Sequence, residues 1–374
     1  MKANKLRIRK ILATNCKETI EAELEIKEGV FRFSVPMGTS VGKYEVKFLP
    51  VDTVIKNFSK IKKHFVKKEF DSQEEVDQKL KELDGTKNFS KIGGNLCLAI
   101  SSVFFKAFAR NRLKAKIKKM PKPLCNVAGG WGKESEIQEF LLLPKKQKSY
   151  REEVFKIAQA YLDLGNMLKQ EDESFKYSRN YESGWVTNLW TDRILELLLD
   201  LCKQYKLKIG LDVAASDRWD GKTYVGNRTT EEQFEFISGL IRRFGITFVE
   251  DPFHEDDFDS FARLTKRFKN ILICGDDLFA TNLERLKIGI KKQATNTVLI
   301  KPNQIGTITD TINFIKLAKK NKMKTVMSHR SGTTDETFLC HLAIMLGCDY
   351  VKFGISGERI VKINEIIRIE EKLT

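Results

Sequence analysis

Six short apolar segments between residues 208 and 354 decide the fold, because a residue capable of chemistry lies at or just after the end of each. They are KIGLDV (208–213), ITFVEDP (246–252), ILICGDD (271–277), TVLIK (297–301), TVMSHRS (325–331) and YVKFG (350–354). Their polar residues are, in order, Asp212, Glu250, Asp276, Lys301, His329 and Lys352. After the first interval these residues recur about every 25 positions, the length of one strand plus one helix. The pattern predicts a β/α barrel whose strand ends gather the six side chains at one face.

The length and composition allow one barrel-sized domain and one smaller domain. The chain has 374 residues, 41% of them hydrophobic, enough for a substantial core. Its seven cysteines form no CxxC pair, which argues against a zinc site or a disulfide framework. The N-terminal MKANKLRIRKILATN lacks an apolar signal region, and the longest apolar run, near LELLLDLC, is too short to span a bilayer. These features predict a cytoplasmic protein.

The formal net charge of +16 is large, and lysine-rich clusters such as KIKKHFVKK, RLKAKIKKMPK and PKKQK contribute much of it. A basic surface attracts polyanions, nucleic acid included. The clusters lack interleaved aromatic residues and any nucleic-acid motif, so nucleic-acid binding is a less favoured alternative. A solvated lysine-rich surface is the favoured explanation of the charge, and a small anionic substrate would also fit it.

The first third of the chain has a different pattern. Alternation of apolar and polar residues over 20–35 predicts an antiparallel hairpin with one buried face, followed by the loop VPMGTSVG and two amphipathic helical stretches. Strands followed by helices indicate a separate α+β domain. The two prolines of MPKPLCN end it, which predicts an N-terminal domain at 1–120 and a barrel domain at 121–374. In the latter, EIQEFLLLP is typical of a strand, and helices are expected at 150–169, 189–206 and 357–372.

Three acids at successive strand ends, Asp212, Glu250 and Asp276, suggest a metal site. Carboxylate oxygens are hard ligands that suit Mg²⁺, which keeps waters and often shares the anionic groups of its substrate. A single acid at such a position is often only a solvated loop residue or a helix cap. Three in register favour metal binding.

Lys301 ends an apolar strand and is a candidate general base, because a neighbouring cation such as Lys352 would lower its pKa. The alternative is a lysine paired with a barrel carboxylate for structure. The run Ser328, His329, Arg330 and Ser331 is a candidate clamp for phosphate or carboxylate. A base facing a metal site suits removal of a proton α to a carboxylate. Elimination also needs an acid, for which the candidates are Glu139 and Glu182.

Over almost its whole length the chain resembles the enolases. The motifs that carry the resemblance are VPMGTSVGKYE, LDGTKNFSKIGGN, IQEFLLLP, GLDVAASD, VEDPF, GDDL, IKPNQIGT, SHRSGTTDETF and RIEEKL. The resemblance implies an α/β fold, with an N-terminal α+β domain followed by a TIM-like barrel of ββαα(βα)6 order. It also implies Mg²⁺-dependent reversible dehydration of 2-phosphoglycerate to phosphoenolpyruvate in glycolysis and gluconeogenesis, usually by a homodimer or a larger homo-oligomer.

The resemblance assigns roles residue by residue. The implied metal ligands are Asp212, Glu250, Asp276 and, from the first loop, Ser40. The implied base is Lys301, and the implied acid is Glu182 with Glu139 assisting. The implied substrate contacts come from the strand-end run and the last strand: Ser328, His329, Arg330, Ser331 and Lys352.

Departures from the family pattern cluster on loops. The stretch NVAGGWGKESEIQEF is short and lacks the family's loop histidine, Tyr181 stands where an aspartate is usual, KFGISGER is shortened, and Met37 replaces a serine. Lys133 in the short loop is a candidate for the lost positive contact, and His254 is a weaker one. Two alternatives therefore stay open: a paralogue that acts on another phosphorylated or carboxylated acid, and a non-catalytic binding protein whose basic surface binds RNA.

Overall fold

The alternating pattern near the N-terminus forms a three-stranded antiparallel sheet. In the computed structural model, which describes residues 1–38, 42–110, 119–130 and 135–373, its strands are β1 (Lys5–Leu12), β2 (Glu18–Ile26) and β3 (Gly29–Ser34), in that order. The predicted hairpin is β2–β3, and its apolar side chains Ile20, Ala22 and Leu24 are fully buried. Strand β1 was not predicted, because KLRIRKIL is dominated by cations. Arg9 of β1 pairs with Glu23 of β2 at 2.7 Å on the outer face, which explains those charges.

Helices α1 (Val51–Ile61) and α3 (Gly94–Ala109) pack on this sheet, and α2 (Gln73–Asp84) packs on α3. Ser72 caps α2 by accepting the amide of Glu75, and Gly85 ends it in the left-handed region at φ 72°. Helix α3 is buried on nearly every side, because it packs on β2 and β3 and also touches helices of the second domain. The predicted α+β character is confirmed.

Eight strands close into a barrel: β4 (Lys122–Ala128), β5 (Glu139–Pro144), β6 (Leu207–Asp212), β7 (Phe248–Glu250), β8 (Leu272–Gly275), β9 (Thr297–Ile300), β10 (Lys324–Ser328) and β11 (Tyr350–Lys352). Strand β5 is antiparallel to both neighbours, and the other pairs are parallel. Leucine, phenylalanine and other apolar side chains fill the interior: Leu124, Leu141, Leu143, Phe248, Cys274, Leu299 and Val326.

The barrel helices are α4 (Tyr150–Glu171), α5 (Thr191–Tyr205), α6 (Thr230–Phe244), α7 (Phe258–Arg267), α8 (Leu283–Lys292), the short α9 (Pro302–Ile305), α10 (Ile308–Lys320), α11 (Phe338–Met345) and α12 (Ile360–Glu371). Two helices without an intervening strand follow β5, so the predicted ββαα(βα)6 order is confirmed. The last helix starts at Ile360 rather than 357, because Gly357–Arg359 form a 3₁₀ turn. The predicted domain boundary between residues 120 and 121 stays a prediction. It lies just before β4, which begins at Lys122.

Strand register sets the active end of the barrel. Glu139 begins the antiparallel strand β5 and pairs with Asp212, the last residue of β6, which in turn pairs with Glu250 at the end of β7. The start of β5 therefore lies at the same end as the carboxyl ends of the parallel strands, where side chains of successive strands meet. Within the described ranges, no helix is both long and apolar enough to cross a membrane.

Candidate active site

Lys352 lies at the centre of a buried group of carboxylates at the carboxyl end of the barrel. Its Nζ is 2.7 Å from Glu139 Oε2, 2.7 Å from Asp212 Oδ2 and 2.8 Å from Glu250 Oε2. Burial lowers the pKa of Lys352, but the three negative charges outweigh burial and raise it well above its ordinary value. Burial raises the pKa of Glu139 to about 7, and burial together with the charge of Asp212 raises the pKa of Glu250 well above its ordinary value.

Lys301 and Asp276 form a second, partly buried ion pair, one strand further round. Lys301 follows β9, where Pro302 starts the short helix α9, and its Nζ bonds to Asp276 Oδ2. Gln304 of α9 donates to the other carboxylate oxygen of Asp276 at 2.9 Å. Both oxygens of Asp276 are therefore held by groups that follow β9.

The expected lowering of the Lys301 pKa is wrong for this arrangement. Burial does lower the pKa, and the charges of Arg330 and Lys352 lower it further. The carboxylates, Asp276 above all and then Glu250, outweigh these effects, so the pKa of Lys301 is raised above its ordinary value. The alternative expectation, a lysine paired with a barrel carboxylate, describes the contact that Lys301 makes with Asp276.

Two further acids, Asp251 and Asp277, belong to the same end of the barrel and were missed. Each follows a predicted ligand directly, in the doublets Glu250-Asp251 and Asp276-Asp277, and these doublets were the signal that could have found them. Carboxylate oxygens of Asp251, Asp276 and Asp277 lie within 4.8 Å of one another. Asp251 accepts the amides of Asp276 at 3.0 Å and Asp277 at 2.7 Å. Burial and the neighbouring charges raise the pKa of Asp251 and of Asp277 well above ordinary values.

This donor set fits a hard divalent cation. Asp212, Glu250 and Asp276 are 6%, 1% and 7% exposed, so they are not solvated loop acids. Their oxygens already converge on positive charge, since the ammonium groups of Lys301 and Lys352 lie among them. Buried carboxylates crowded in this way repel one another, and a divalent cation with oxygen ligands relieves that repulsion. Ser40, the fourth predicted ligand, lies outside the described residues.

His329, which is buried, and Glu182, which is partly buried, form a third pair on another side of the same cleft. His329 follows β10, and its Nε2 is 2.9 Å from Glu182 Oε2. The Glu182 turn is held by Asn180, whose side-chain oxygen accepts the amides of Glu182 and Gly184 at 3.0 Å. Burial, reinforced by the charge of Arg359, lowers the pKa of His329 to about 3. Burial raises the pKa of Glu182, but Arg359 and His329 together hold it well below its usual range.

Arg330 is bound to the segment that follows the first loop. Its Nη1 is 2.8 Å from Glu45 Oε2, and both side chains are 6% exposed. The backbones of Met37 and Gly332 exchange two hydrogen bonds of 2.9 Å, which fix the other end of that loop beside Arg330 and Ser331. The N-terminal domain therefore reaches the barrel cleft on both sides of its first loop.

One cleft gathers most of the predicted site residues. Its lining includes these: Glu139, Glu182, Asp212, Asp276, Lys301, Ser328, His329, Arg330, Ser331 and Lys352. It also includes residues that were not predicted: Gly38, Glu45, Gln138, Ala214, Asp217, Asp251 and Asp277. Glu250 joins the group through Lys352. Lys133 lies outside the described residues, like Ser40.

His254, the weaker candidate to replace the missing loop histidine, is not among the residues that line this cleft. It lies on the loop after β7, where its Nδ1 accepts the amide of Asp256 at 3.2 Å. Asp256 is already paired with Lys43 at 3.2 Å and with Arg285 at 3.2 Å. These contacts join the loop after β7 to the end of the first loop, and they give His254 a structural setting outside the cleft.

Comparison with known proteins agrees with this geometry. Residues 3–117 match the family model described as "Enolase, N-terminal domain", and residues 117–374 match "Enolase, C-terminal TIM barrel domain". A protein named enolase from Methanosphaera stadtmanae is 40% identical, over 98% of this chain and 96% of that protein. Others from Archaeoglobus fulgidus (38%, over 95% and 93%) and Halobacterium salinarum (35%, over 98% of both) are similar over nearly full length. The chain belongs to the enolase family.

Proposed function

We propose that this chain catalyses the reversible dehydration of 2-phosphoglycerate to phosphoenolpyruvate with Mg²⁺, using Lys301 as the base and Glu182 as the acid. The chain is an enolase-family lyase that breaks a carbon–oxygen bond. One observation carries the assignment of roles: the ammonium of Lys301, directly after a strand end, and the carboxylate of Glu182, in a loop, line one cleft that also holds a cluster of carboxylates. The base, the acid and the carboxylates proposed to hold the cation are thus within reach of one small substrate.

Mg²⁺ is the cofactor that suits the carboxylates of Asp212, Glu250 and Asp276. When bound, it would supply the positive charge needed as the substrate carboxylate becomes a dianion. Asp251 and Asp277 support the proposal, because their carboxylate oxygens lie within 4.8 Å of each other and of Asp276. Ser40 is a further proposed ligand from the first loop.

Lys301 removes the proton from the carbon next to the substrate carboxylate. This step needs a neutral amine, and Asp276 opposes it in the structure by holding the ammonium form. Asp276 engaged as a metal ligand would have less charge left to hold that proton, so metal binding and base strength are linked at this residue. Lys352, which binds Glu139, Asp212 and Glu250, is proposed to contact the substrate carboxylate.

Glu182 gives its proton to the hydroxyl that leaves from the next carbon, and water is released. In the free structure the low pKa keeps Glu182 ionised. An anionic substrate in the cleft raises the pKa of a nearby carboxylate, which lets Glu182 carry the proton it must deliver. Glu139 assists from the first barrel strands. Neutral His329, whose Nε2 lies 2.9 Å from Glu182 Oε2, is proposed to keep that carboxylate turned into the cleft.

Arg330, Ser331 and Ser328 are proposed to bind the phosphate. A guanidinium offers a planar pair of donors that fits two phosphate oxygens, and Glu45 holds that plane in place at 2.8 Å. Lys133 of the shortened loop is proposed to add a point charge in place of the family's histidine.

A steady-state assay of phosphoenolpyruvate formation from 2-phosphoglycerate with Mg²⁺ tests the function. We expect Lys301→Ala to lower kcat by about 10³-fold or more, since general base catalysis contributes about 10²–10⁴-fold and an ion-pair partner is also lost. Lys291→Ala, an exposed lysine of α8, is the control and should keep full activity. Full activity of Lys301→Ala would end the proposal. Parallel assays with other phosphorylated and carboxylated hydroxy acids test the paralogue alternative.

The family also suggests a cytoplasmic homodimer or larger homo-oligomer that works in glycolysis and gluconeogenesis. The seven cysteines are free in the structure, which is consistent with a reducing compartment. Light scattering coupled to size-exclusion chromatography tests the assembly, for which we expect at least twice the chain mass of 43.1 kDa.

A further inference from the structure

Arg359 is a fully buried cation that plays no part in the steps above. It ends the 3₁₀ turn after β11 and has 0% of its surface exposed. Burial of a guanidinium is costly unless its donors are matched, so a side chain in this position needs a specific set of partners.

Those partners come from two loops that carry proposed site residues. Arg359 Nη1 donates to the carbonyl of Arg330 at 2.9 Å, and Nη2 donates to the carbonyl of Ser331 at 2.8 Å. Nη2 also donates to the carbonyl of Tyr181 and lies 3.5 Å from Glu182 Oε2. One planar group therefore joins the acid loop to the loop that follows β10.

The backbone beside Arg359 is shaped to admit its side chain. Gly354 adopts φ 74°, and a Cβ built on it would lie 2.9 Å from Arg359 Cγ. Lys362, one turn further along α12, adds a second buried tie, because its Nζ donates to Thr333 Oγ1 at 2.7 Å and to the carbonyl of Thr334 at 3.1 Å. The start of α12 thus holds the loop after β10 by two cations.

The contact between Arg359 and His329 bears on which ring nitrogen of His329 carries the proton. Arg359 Nη1 is 3.5 Å from His329 Nδ1, and a guanidinium can only donate. The contact therefore favours an unprotonated Nδ1, which leaves the proton on Nε2, 2.9 Å from Glu182 Oε2. The charged groups that act on the ring are Glu182, Arg359 and Lys362, and both cations oppose a positive imidazole.

We propose that Arg359 is a positioning residue for the enolase reaction: it holds His329 in the neutral Nε2–H tautomer, so that His329 donates to Glu182, and it locks the Glu182 loop to the loop carrying Arg330 and Ser331. This proposal rests on the proposed role of Glu182 as the acid. In this arrangement His329 acts only as a hydrogen-bond donor and does not transfer a proton during the reaction. Arg359 itself touches neither substrate nor metal in this scheme.

Nitrogen NMR of ¹⁵N-histidine-labelled protein tests the proposal without any need for turnover. The chain has four histidines, and His329→Gln assigns the signal. In the wild-type protein we expect a protonated Nε2, an unprotonated Nδ1 and no titration of His329 between about pH 5 and 8, well above its pKa. An Nδ1–H tautomer, or titration in that range, would overturn the proposal with no variant required.

Two variants separate the charge of Arg359 from its shape. Arg359→Met removes both, so we expect the apparent pKa of His329 to rise into the measured range and kcat to fall about 10²-fold, with a smaller change in KM. Arg359→Lys keeps the charge but not the fork, so His329 should stay neutral while kcat still falls. Arg368→Met, an exposed arginine of α12, is the control and should match the wild type.

The outcomes distinguish this proposal from the proposed function. Wild-type protein without activity on 2-phosphoglycerate would contradict the function, and the histidine spectra would still report the tautomer. Active wild-type protein whose His329 signals and kcat are unchanged by Arg359→Met would contradict the positioning role alone.

Discussion

The two sides of the cleft are built differently. On the metal and base side, Asp212, Glu250, Asp276 and Lys301 lie at or directly after strand ends, where neighbouring strands fix their spacing. On the acid side, Glu182 lies in a loop and depends on contacts with His329 and Arg359, which are far away in sequence. The comparison teaches that one half of the chemistry is held by the barrel itself and the other half by side-chain ties between loops.

The largest expected effect comes from breaking the metal and base side. Asp276→Asn removes a proposed ligand and the charge that faces buried Lys301, so we expect weaker Mg²⁺ binding by about 10–100-fold and a loss of kcat of about 10³-fold. Isothermal calorimetry with Mg²⁺ and the steady-state assay measure the two quantities. Asp259→Asn, an exposed acid on α7, is the control. Unchanged Mg²⁺ affinity in Asp276→Asn would contradict the ligand assignment.

A change on the acid side should lower activity without weakening Mg²⁺ binding. Glu182→Gln keeps the shape of the side chain but cannot deliver a proton, so kcat should fall by about 10²–10⁴-fold. Mg²⁺ affinity should match the wild type, because Glu182 contacts His329 and Arg359 rather than the proposed ligands. The same calorimetry checks this, and a large loss of Mg²⁺ affinity would mean that the two sides are not independent.

On the acid side, His329 should make its own contribution to the pH dependence of stability. The folded pKa of His329, about 3, lies below its ordinary value of 6.5, so the unfolded chain binds a proton first as the pH falls. The stability due to neutral His329 is complete above pH 6.5 and declines toward pH 3, by about 2 kcal/mol between pH 7 and pH 5. Denaturant unfolding at both pH values measures this contribution as the difference in slope between His329→Gln and the wild type, and His64→Gln should keep the wild-type slope. The slope should be reduced in His329→Gln, and an equal slope there would contradict it.

The smallest expected effect tests how firmly Arg359 is held in its place between the loops. Gly354 and Gly85 have nearly the same φ, 74° and 72°, but only Gly354 has a neighbour, Arg359 Cγ, where a Cβ would lie. Gly85→Ala should cost about 1 kcal/mol for the left-handed backbone, and Gly354→Ala should cost about 1–2 kcal/mol more for the clash. Unfolding experiments measure both. Equal losses would show that Arg359 moves aside freely.

The sequence predicted the metal and base side of the cleft better than the acid side. The reason is that the first is built from strand ends and the second from contacts between loops. The period of strand plus helix indicated the barrel and its strand-end residues, because local chain geometry fixes where a strand ends. It did not indicate β1, whose charges are satisfied by ion pairs across the sheet, such as Arg9 with Glu23. Nor did it indicate Glu45 or Arg359, because contacts between residues so far apart in the chain leave no periodic pattern. The raised pKa of Lys301 likewise depends on one distance, to Asp276, that no spacing reveals.

Exchange of the substrate's C2 hydrogen with solvent tests the central division most directly. Proton NMR of 2-phosphoglycerate in D₂O with Mg²⁺ follows loss of that hydrogen separately from formation of phosphoenolpyruvate. If Lys301 is the base and Glu182 the acid, Glu182→Gln should still exchange the hydrogen while forming little product, and Lys301→Ala should do neither. Exchange that persists in Lys301→Ala, or that disappears in Glu182→Gln as completely as product formation, would contradict the assignment of base and acid to opposite sides of the cleft.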